Sequence, residues 1–159
     1  MKKLIVMVGI PASGKSTYCK NHFNTPDCKY ISRDEVRFSI VKEDEEYFSK
    51  EKEVFNQFVE LIKDAIKNDN YSTIIADATH LNERSRAKLM RALGPALIET
   101  RTSAIVMKPS LTTALKRNEN RTGRKFVPKG QIRRMYSSMT MPTEEEGFDE
   151  IIVIKERRN

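Results

Sequence analysis

The sequence contains a candidate phosphate-binding loop near its start. Residues 9–16 read GIPASGKS, which matches the pattern G-x-x-x-x-G-K-[ST], and follow an apolar run at residues 3–8 that predicts a buried strand. Gly9 and Gly14 would let the backbone wrap so that its N–H groups converge on phosphate oxygens. Lys15 would reach the β- and γ-phosphates, and the Ser16 hydroxyl would bind Mg²⁺. This phosphate cradle (residues 9–16) predicts nucleotide binding, to which Pro11, Ala12, Ser13 and the adjacent Thr17 would also contribute.

A carboxylate suited to acid–base chemistry follows the second predicted strand, residues 28–31. Ligands of an open parallel sheet bind at the carboxyl ends of its strands, so Asp34, in the stretch ISRDEVR, should face the phosphates. There it could accept the proton of an attacking hydroxyl. Arg37, three residues on, could hold Asp34 ionised or grip an acceptor phosphate. The alternative is a helix-capping Asp34 in a surface ion pair.

A second carboxylate, Asp77, ends the apolar run at residues 73–76. It could hold Mg²⁺ through water or orient an arginine of the pocket, and the alternative is a loop-capping role. Thr79, His80 and Asn82 follow and could line an acceptor pocket. For His80 alone, a position in a surface loop is the default expectation.

The positive charge of the chain is concentrated in one segment. Residues 116–134 contain eight basic residues and one acidic residue. The net charge of this segment is therefore +7, which equals the formal net charge of the whole chain. The expected partner is polyanionic, either nucleotide phosphates or nucleic acid, and the alternative is a solvated basic face. Arg121, Arg124 and Lys125 lie in a glycine-containing stretch between two predicted helices, a layout typical of a lid that brings arginines to the transition state. The acidic run at residues 43–53 predicts a solvated face.

Strand and helix patterns alternate along the chain. Buried strands are predicted at residues 3–8, 28–31, 73–76, 102–107 and 150–154, with helices between them at 15–24, 49–67, 83–93, 111–120 and 128–139. A segment of loop followed by helix is predicted at residues 32–41. We therefore expect an α/β fold, with a parallel sheet covered by helices on both faces. Neither repeats nor linkers are recognised, which predicts one domain over residues 1–159.

Composition narrows the class of protein. A chain of 159 residues with 38% apolar and 32% charged residues can form one soluble domain. No apolar run approaches the ~20 residues that cross a bilayer, so we expect no membrane association. The first residues imitate a leader peptide, but their apolar run is short and leads straight into the cradle, so no leader is expected. Only two cysteines occur, which favours a reducing cytoplasm over a disulfide framework.

Four motifs together resemble a known family. GIPASGKST, SRDEVR, DATHLN and KRNENRTGRKFVPKGQIRRMYSSM occur in the order found in the kinase domain of phage-type 5′-polynucleotide kinases, and the resemblance covers residues 1 to about 140. It implies an adenylate-kinase-like P-loop fold with a helical lid at about residues 117–128. It also implies transfer of the γ-phosphate of ATP, with Mg²⁺, to 5′-hydroxyl ends of DNA or RNA. No DxDGT-type motif is present, so 3′-phosphatase activity is not expected.

The resemblance also implies roles for single residues. Lys15 and Ser16 would handle the donor phosphates, and Asp34 would be the general base on the 5′-hydroxyl. Arg37 would contact the acceptor phosphate, and Asp77, with Thr79, would belong to the acceptor pocket. Arg121 would be the lid arginine on the donor phosphates, supported by Arg117. The lid stretch RTGRK is one residue longer than the family pattern, so Arg124 is an alternative donor contact.

Two other functions share most of these features. A P-loop kinase for a nucleoside, sugar or antibiotic hydroxyl would use the same cradle, base and lid. A non-catalytic module that binds ATP and nucleic acid would use the cradle and the basic segment, but would have no need of Asp34 beside Arg37. The choice between DNA and RNA, the acceptor length and the preferred nucleotide donor stay open. Oligomeric state also stays open, since some members of the resembled family self-associate.

Overall fold

The core of the molecule is a five-stranded parallel sheet. The structure is a computed structural model that describes residues 1–156. The strands are β1 (Lys2–Val8), β2 (Cys28–Ser32), β3 (Thr73–Asp77), β4 (Thr100–Lys108) and β5 (Glu150–Lys155), arranged in the order β2-β3-β1-β4-β5. All four pairings are parallel. The predicted α/β class is confirmed, and β4 begins two residues earlier than its sequence pattern suggests.

The register of the sheet brings three strand ends together. Met7 of β1 pairs with Asp77 of β3, and Asp77 pairs with Ser32 of β2. Because parallel strands end at the same edge, the cradle after β1, the carboxylate of Asp77 and the segment after Ser32 all emerge side by side.

Helices connect the strands. They are α1 (Lys15–His22), α2 (Arg33–Ile40), α3 (Glu51–Lys67), α4 (Glu83–Leu93), α5 (Leu111–Glu119) and α6 (Lys129–Ser138). Three short 3₁₀ turns, which the sequence patterns do not predict, span Gly94–Leu97, Gly123–Lys125 and Glu144–Glu146. Side chains satisfy the first N–H groups of several helices: Ser32 accepts from the Glu35 amide and Ser110 from the Thr113 amide. The expected loop before α2 is absent, since this helix begins directly after β2.

Alternate residues of β1 pack on opposite layers of helices. Leu4, Val6 and Val8 pack with α3 and α4 residues such as Phe58 and Leu89. Ile5 and Met7, on the other face, pack with Cys19 of α1 and with residues of β3, β4 and β5. Residues 4–8 of β1 are all fully buried, as a continuous apolar run predicts. The cradle therefore extends from the most protected strand of the sheet.

A buried ion pair holds the C-terminal region against α4. Arg86, 1% exposed, donates from Nε to Glu146 Oε1 at 2.7 Å and from Nη1 to the carbonyls of His80 and Thr140. Removing either partner would leave an uncompensated buried charge.

None of the helices in residues 1–156 is long and apolar enough to cross a membrane.

Candidate functional site

A cavity of about 910 Å³ lies at the carboxyl ends of the strands. It joins the cradle, the start of α2 and the predicted lid segment (residues 117–128, called the lid below) in one space. Every site residue predicted from the sequence lines it except Gly9, which underlies the cradle: Pro11, Ala12, Ser13, Gly14, Lys15, Ser16, Thr17, Asp34, Arg37, Asp77, Thr79, Arg117, Arg121 and Arg124. Among the residues weighed as acceptor-pocket candidates, His80 and Asn82 do not line it.

The backbone of the cradle has the conformation that its glycines allow. Gly14 has φ 95° and Ala12 has φ 62°, so two left-handed residues turn the chain sharply before α1. Gly9 is needed for a different reason. A Cβ atom there would lie 2.7 Å from Ser13 Oγ and 3.1 Å from the Met107 carbonyl oxygen, so only glycine fits.

Lys15 lies across the cradle. Its Nζ donates to the carbonyls of Gly9 at 2.8 Å and Ile10 at 3.0 Å. Removal from water lowers the pKa of Lys15, an effect opposed by the negative charges of Asp77 and Asp34 and reinforced by Arg121. The ammonium group is thus held over the cradle by contacts that a phosphate oxygen could replace.

Ser16 and Asp77 meet beside the cradle. Ser16 Oγ lies 3.4 Å from Asp77 Oδ2, and Tyr30 of β2 donates its hydroxyl to the same carboxylate oxygen. Burial, followed by the charge of Asp77, raises the pKa of Tyr30, so this hydroxyl stays protonated and remains a donor. A hydroxyl and a carboxylate are hard oxygen ligands, so this pair fits Mg²⁺. No cluster of three or more His, Cys, Asp or Glu residues that could hold a metal occurs within residues 1–156.

Asp34 lies in the first turn of α2, held by two donors. Arg37 Nη1 and the Tyr47 hydroxyl both donate to Asp34 Oδ1 at 3.0 Å. Burial, followed by the charge of Asp34, raises the pKa of Tyr47, which keeps the hydroxyl a donor. Across the part of the chain that the structure describes, no hydrogen bond reaches Oδ2. One oxygen is therefore fixed, while the other is available to accept a proton.

Arg37 lines the cavity, but neighbouring side chains enclose most of its guanidinium. It is 6% exposed, and its Nε and Nη2 donate to the two carboxylate oxygens of Glu51 at 2.9 and 3.0 Å. The rings of Tyr47 and Phe48 lie 4.6 and 5.5 Å from its guanidinium carbon. The acidic run at residues 43–53, expected to be a solvated face, in fact supplies this enclosure through Glu51, so that expectation is wrong at this end of the run.

A single side chain joins the two ends of the lid loop. Asn118, fully buried at the end of α5, donates from Nδ2 to the Val127 carbonyl at 2.6 Å and accepts from the Val127 amide at 3.1 Å. These two bonds join the ends of the loop that carries the lid arginines. Asn118 could have been suspected only from its place inside the R-N-x-x-R string.

The lid arginines have different surroundings. Arg121 lines the cavity, and its Nη1 is buried with no hydrogen-bond partner in residues 1–156. Arg124 donates to the Val41 carbonyl and lies 4.6 Å from the Phe38 ring centre, so it ties the lid to the end of α2. Arg117 Nη1 donates to the Ser13 carbonyl at 3.1 Å. Of these three arginines, Arg121 alone has a buried side-chain nitrogen without a hydrogen-bond partner among residues 1–156.

His80 lies in the interior, which corrects the expectation of a surface loop. It is 5% exposed with φ 45°, and its Nδ1 donates to the Met7 carbonyl at 2.7 Å. Burial lowers its pKa to about 4, so the ring is neutral at pH 7. The Gly9 amide donates to the Thr79 carbonyl at 3.0 Å. His80 and Thr79 therefore fasten the loop after β3 to the foot of the cradle.

The two cysteines take no part in this chemistry. Cys19 and Cys28 are free, and Cys19 is buried. Burial raises the pKa of Cys19 to about 12, which makes it an inert core thiol.

Sequence comparison assigns the chain to a family. The model of an AAA domain family, AAA_33, matches residues 4–142, and the chain belongs to this family. A curated relative from Methanococcus maripaludis, an L-seryl-tRNA(Sec) kinase, is 30% identical over 151 residues. The match covers 92% of this chain and 56% of the relative, so the chain spans little more than half of the relative's length.

Solved structures support the P-loop kinase fold. A sugar kinase from Janibacter sp. HTCC2649 superposes with a TM-score of 0.67 at 14% identity, covering 98% of this chain and 86% of its own. A fungal RNA kinase gives 0.64 at 14% identity, with 97% and 74% covered. A chain of the Pnkp1/Rnl/Hen1 RNA repair complex gives 0.68 at 22% identity, with 86% and 43% covered. At these identities the likeness shows the fold alone.

Proposed function

We propose that this chain is a phosphotransferase that moves the γ-phosphoryl group of ATP to the 5′-hydroxyl end of DNA or RNA. The observation that carries the proposal is a single cavity lined by both the phosphate cradle and Asp34. Arg37 and Tyr47 bind Asp34 Oδ1, and Asp34 Oδ2 accepts no hydrogen bond within residues 1–156. A nucleotide-binding switch would need the cradle alone. A transferase also needs a group that receives the proton of the acceptor, and Asp34 Oδ2 supplies it.

The donor side relies on cations that have no carboxylate partner. Within residues 1–156, Lys15 Nζ donates only to backbone carbonyls of the cradle, and Arg121 Nη1 is buried without a hydrogen-bond partner. In a water-poor cavity such charges stabilise the negative charge that develops on the transferred phosphoryl group. Arg121 is thus favoured over Arg124 as the arginine that contacts the donor, because Arg124 already binds the Val41 carbonyl.

Ser16 and Asp77 would hold Mg²⁺ beside the donor phosphates. The ion, when bound, neutralises charge on the β- and γ-phosphates. The Tyr30 hydroxyl would keep the Asp77 carboxylate oriented toward Ser16.

Phosphoryl transfer would exchange one bond to the γ-phosphorus for another and would release one proton, which Asp34 would accept. The acceptor oxygen forms a bond to the γ-phosphorus, and the bond from that phosphorus to the bridging oxygen of ADP breaks. The acceptor proton passes to Asp34 Oδ2, while Arg37 and Tyr47 hold Oδ1 in place. The closed lid base would restrict water, so that the alcohol and not water reacts.

A polynucleotide acceptor is supported by the charge of the last turn of α5, the lid and α6. Lys116, Lys125, Arg133 and Arg134 are exposed and form no ion pair within residues 1–156. Exposed Phe126 and Tyr136 lie in the same segment and could stack on bases. The L-seryl-tRNA(Sec) kinase relative and the fungal RNA kinase neighbour are both named for substrates that contain RNA, although the first name does not specify a 5′ end.

A small-molecule acceptor is the second candidate, and the enclosure of Arg37 favours it. Because Arg37 is already paired with Glu51, an acceptor phosphate would have to displace that carboxylate, whereas an uncharged sugar or nucleoside would not. The sugar kinase neighbour has the same fold.

One labelling assay separates these functions. The protein would be incubated with γ-³²P-ATP and, in turn, a 5′-hydroxyl oligonucleotide, its 5′-phosphorylated counterpart, a nucleoside and a sugar. The proposal requires label on the 5′-hydroxyl oligonucleotide only, or on it far above the others, with a rate that falls as salt rises. Label on the small acceptors alone would establish the second candidate. ATP binding with no label on any acceptor would leave a non-catalytic module.

A further inference from the structure

One carboxylate holds two arginines at the acceptor side of the cavity. Glu51, the first residue of α3, receives Arg37 Nε at 2.9 Å and Arg37 Nη2 at 3.0 Å on separate oxygens. Arg33 Nη2 donates to Glu51 Oε2 at 3.1 Å. Glu51 thus forms a two-pronged contact with Arg37 and shares one of its oxygens with Arg33.

The second arginine has unused hydrogen-bonding capacity. Arg33 Nε is buried and has no partner among residues 1–156, and its guanidinium carbon lies 5.6 Å from the Phe55 ring centre. Burial lowers the pKa of Arg33, while the charge of Glu51 opposes that effect. With Glu51 in place, the Arg33, Asp34, Arg37 and Glu51 cluster carries two positive and two negative charges.

The contact between Glu51 and Arg37 has the geometry that a phosphate would also use. A guanidinium edge pairs equally well with two carboxylate oxygens or two phosphate oxygens. The phosphodiester of a polynucleotide has two free oxygens and one negative charge, as a carboxylate does, whereas a terminal phosphate monoester has a third free oxygen and carries more charge. Either group could therefore bind Arg37 and Arg33 together once Glu51 has moved aside.

We propose that Glu51 is a gate that sets which acceptors bind, because its carboxylate competes with an acceptor phosphate for Arg37 and Arg33. This inference rests on the proposed function, in that it takes this end of the cavity as the acceptor side. An acceptor with a phosphate near its reacting hydroxyl must displace Glu51, whereas an uncharged acceptor need not. Glu51 would therefore be a specificity-determining residue, because the phosphate next to the reacting hydroxyl gains the two arginines only by taking the place of this carboxylate.

The test compares two acceptors that differ only in that phosphate. Thymidine and thymidine 3′-monophosphate both offer a 5′-hydroxyl, and neither is a purine that competes for an ATP site. The variant is Glu51→Gln, which keeps an oxygen to accept from Arg37 but loses the charge. The matched control is Glu53→Gln, since Glu53 is exposed on the same helix turn and touches neither arginine.

The measured quantity is the ratio of kcat/KM for thymidine 3′-monophosphate to kcat/KM for thymidine. We expect Glu51→Gln to raise this ratio about tenfold, because the arginines no longer prefer their internal partner. Glu53→Gln should leave the ratio unchanged. A Glu51 that merely held α2 and α3 together would lower both kcat/KM values by the same factor, and an unchanged ratio overturns the gate.

A binding measurement keeps the gate testable even if the proposed function fails. Thymidine 3′-monophosphate is titrated calorimetrically into each protein with the cradle saturated by a non-hydrolysable ATP analogue. Tighter binding to Glu51→Gln than to the unmodified chain, lost again in the double variant with Arg37→Ala, supports the gate whether or not any acceptor is phosphorylated. Equal affinities, or no binding to either protein, overturn it.

Discussion

The side-chain amide of Asn118 forms both of its hydrogen bonds with the backbone of Val127, imitating one rung of a sheet across the base of the lid. Eight residues separate the two, among them Arg121 and Arg124. Asn118 is fully buried, and loss of its side chain would leave both the N–H and the C=O of Val127 without a partner. The two hydrogen bonds together therefore restrict the loop more than either one alone.

Replacing Asn118 should therefore release the lid. Asn118→Ala leaves the Val127 N–H and C=O without partners, a loss of about 1–3 kcal/mol that is local to the loop. We expect faster amide exchange at Val127 and a lower kcat/KM for phosphoryl transfer. Asn120→Ala, at an exposed position just past α5, is the control and should change neither quantity. Unchanged exchange at Val127 in Asn118→Ala would contradict this account of the lid.

Asp34→Asn tests the base. The amide cannot take the acceptor proton, so kcat should fall by roughly 10²–10⁴ while ATP affinity stays close to normal. Glu35→Gln removes a neighbouring exposed carboxylate and should be nearly silent. Retention of normal turnover in Asp34→Asn would show that another group accepts the proton.

Substitutions of Arg121 and Arg124 should lower kcat by different amounts. Arg121→Ala removes a guanidinium that lines the cavity and has a buried nitrogen, and we expect kcat to fall about 10²–10³-fold. Arg124→Ala removes a contact between the lid and the Val41 carbonyl, so its effect on kcat should be much smaller. Steady-state kinetics of the pair decide the assignment, and a larger kcat loss in Arg124→Ala would reverse it.

The glycines of the chain offer a matched pair. Gly9→Ala places a Cβ 2.7 Å from Ser13 Oγ and 3.1 Å from a backbone oxygen, so we expect nucleotide affinity to fall about tenfold from overpacking of 1–3 kcal/mol. Gly130→Ala in α6 meets only Arg134 Nη1 at 3.5 Å and should stabilise the protein by about 0.5–1 kcal/mol. Titration with ATP and urea denaturation of both variants provide the check. Tight ATP binding by Gly9→Ala would mean that the cradle can shift to admit a methyl group.

His80 predicts a stability loss in mild acid. Burial lowers its folded-state pKa to about 4 from 6.5, so between these values the unfolded chain binds the extra proton. The free energy of unfolding should therefore fall as pH drops from 6.5 toward 4, by at most about 3 kcal/mol from this group. Urea denaturation at pH 7.5 and 5 should show a shallower fall in His80→Gln than in the unmodified chain or in His22→Gln. Equal pH dependence in all three would exclude His80 as the cause.

The strands and the cradle could be predicted because their signals are local. A five-residue apolar run or a G-x-x-x-x-G-K-[ST] string carries its own geometry, and the strand ends then place Asp34 and Asp77 near the phosphates. The interior position of His80 has no such signal, since it follows from a left-handed backbone angle just after β3. Glu51 was hidden in an acidic run, because its partner Arg37 lies 14 residues away and meets it only when α2 packs on α3.

Arg86 shows the same limit over a longer span. In the sequence it is one of several arginines on an amphipathic helix, and nothing near it names a partner. Glu146, 60 residues later, reaches it only after β5 has joined the sheet. Pairings of this kind depend on the completed topology, so sequence patterns alone could not supply them.

Arg117 connects the tip of the cradle, through the Ser13 carbonyl, to the helix from which the lid emerges. Asn118, the next residue along the chain, joins the two ends of the lid. A nucleotide that moved the Ser13 carbonyl would therefore act on the residue beside this anchor, which gives the donor site a direct physical route to the lid before any acceptor binds.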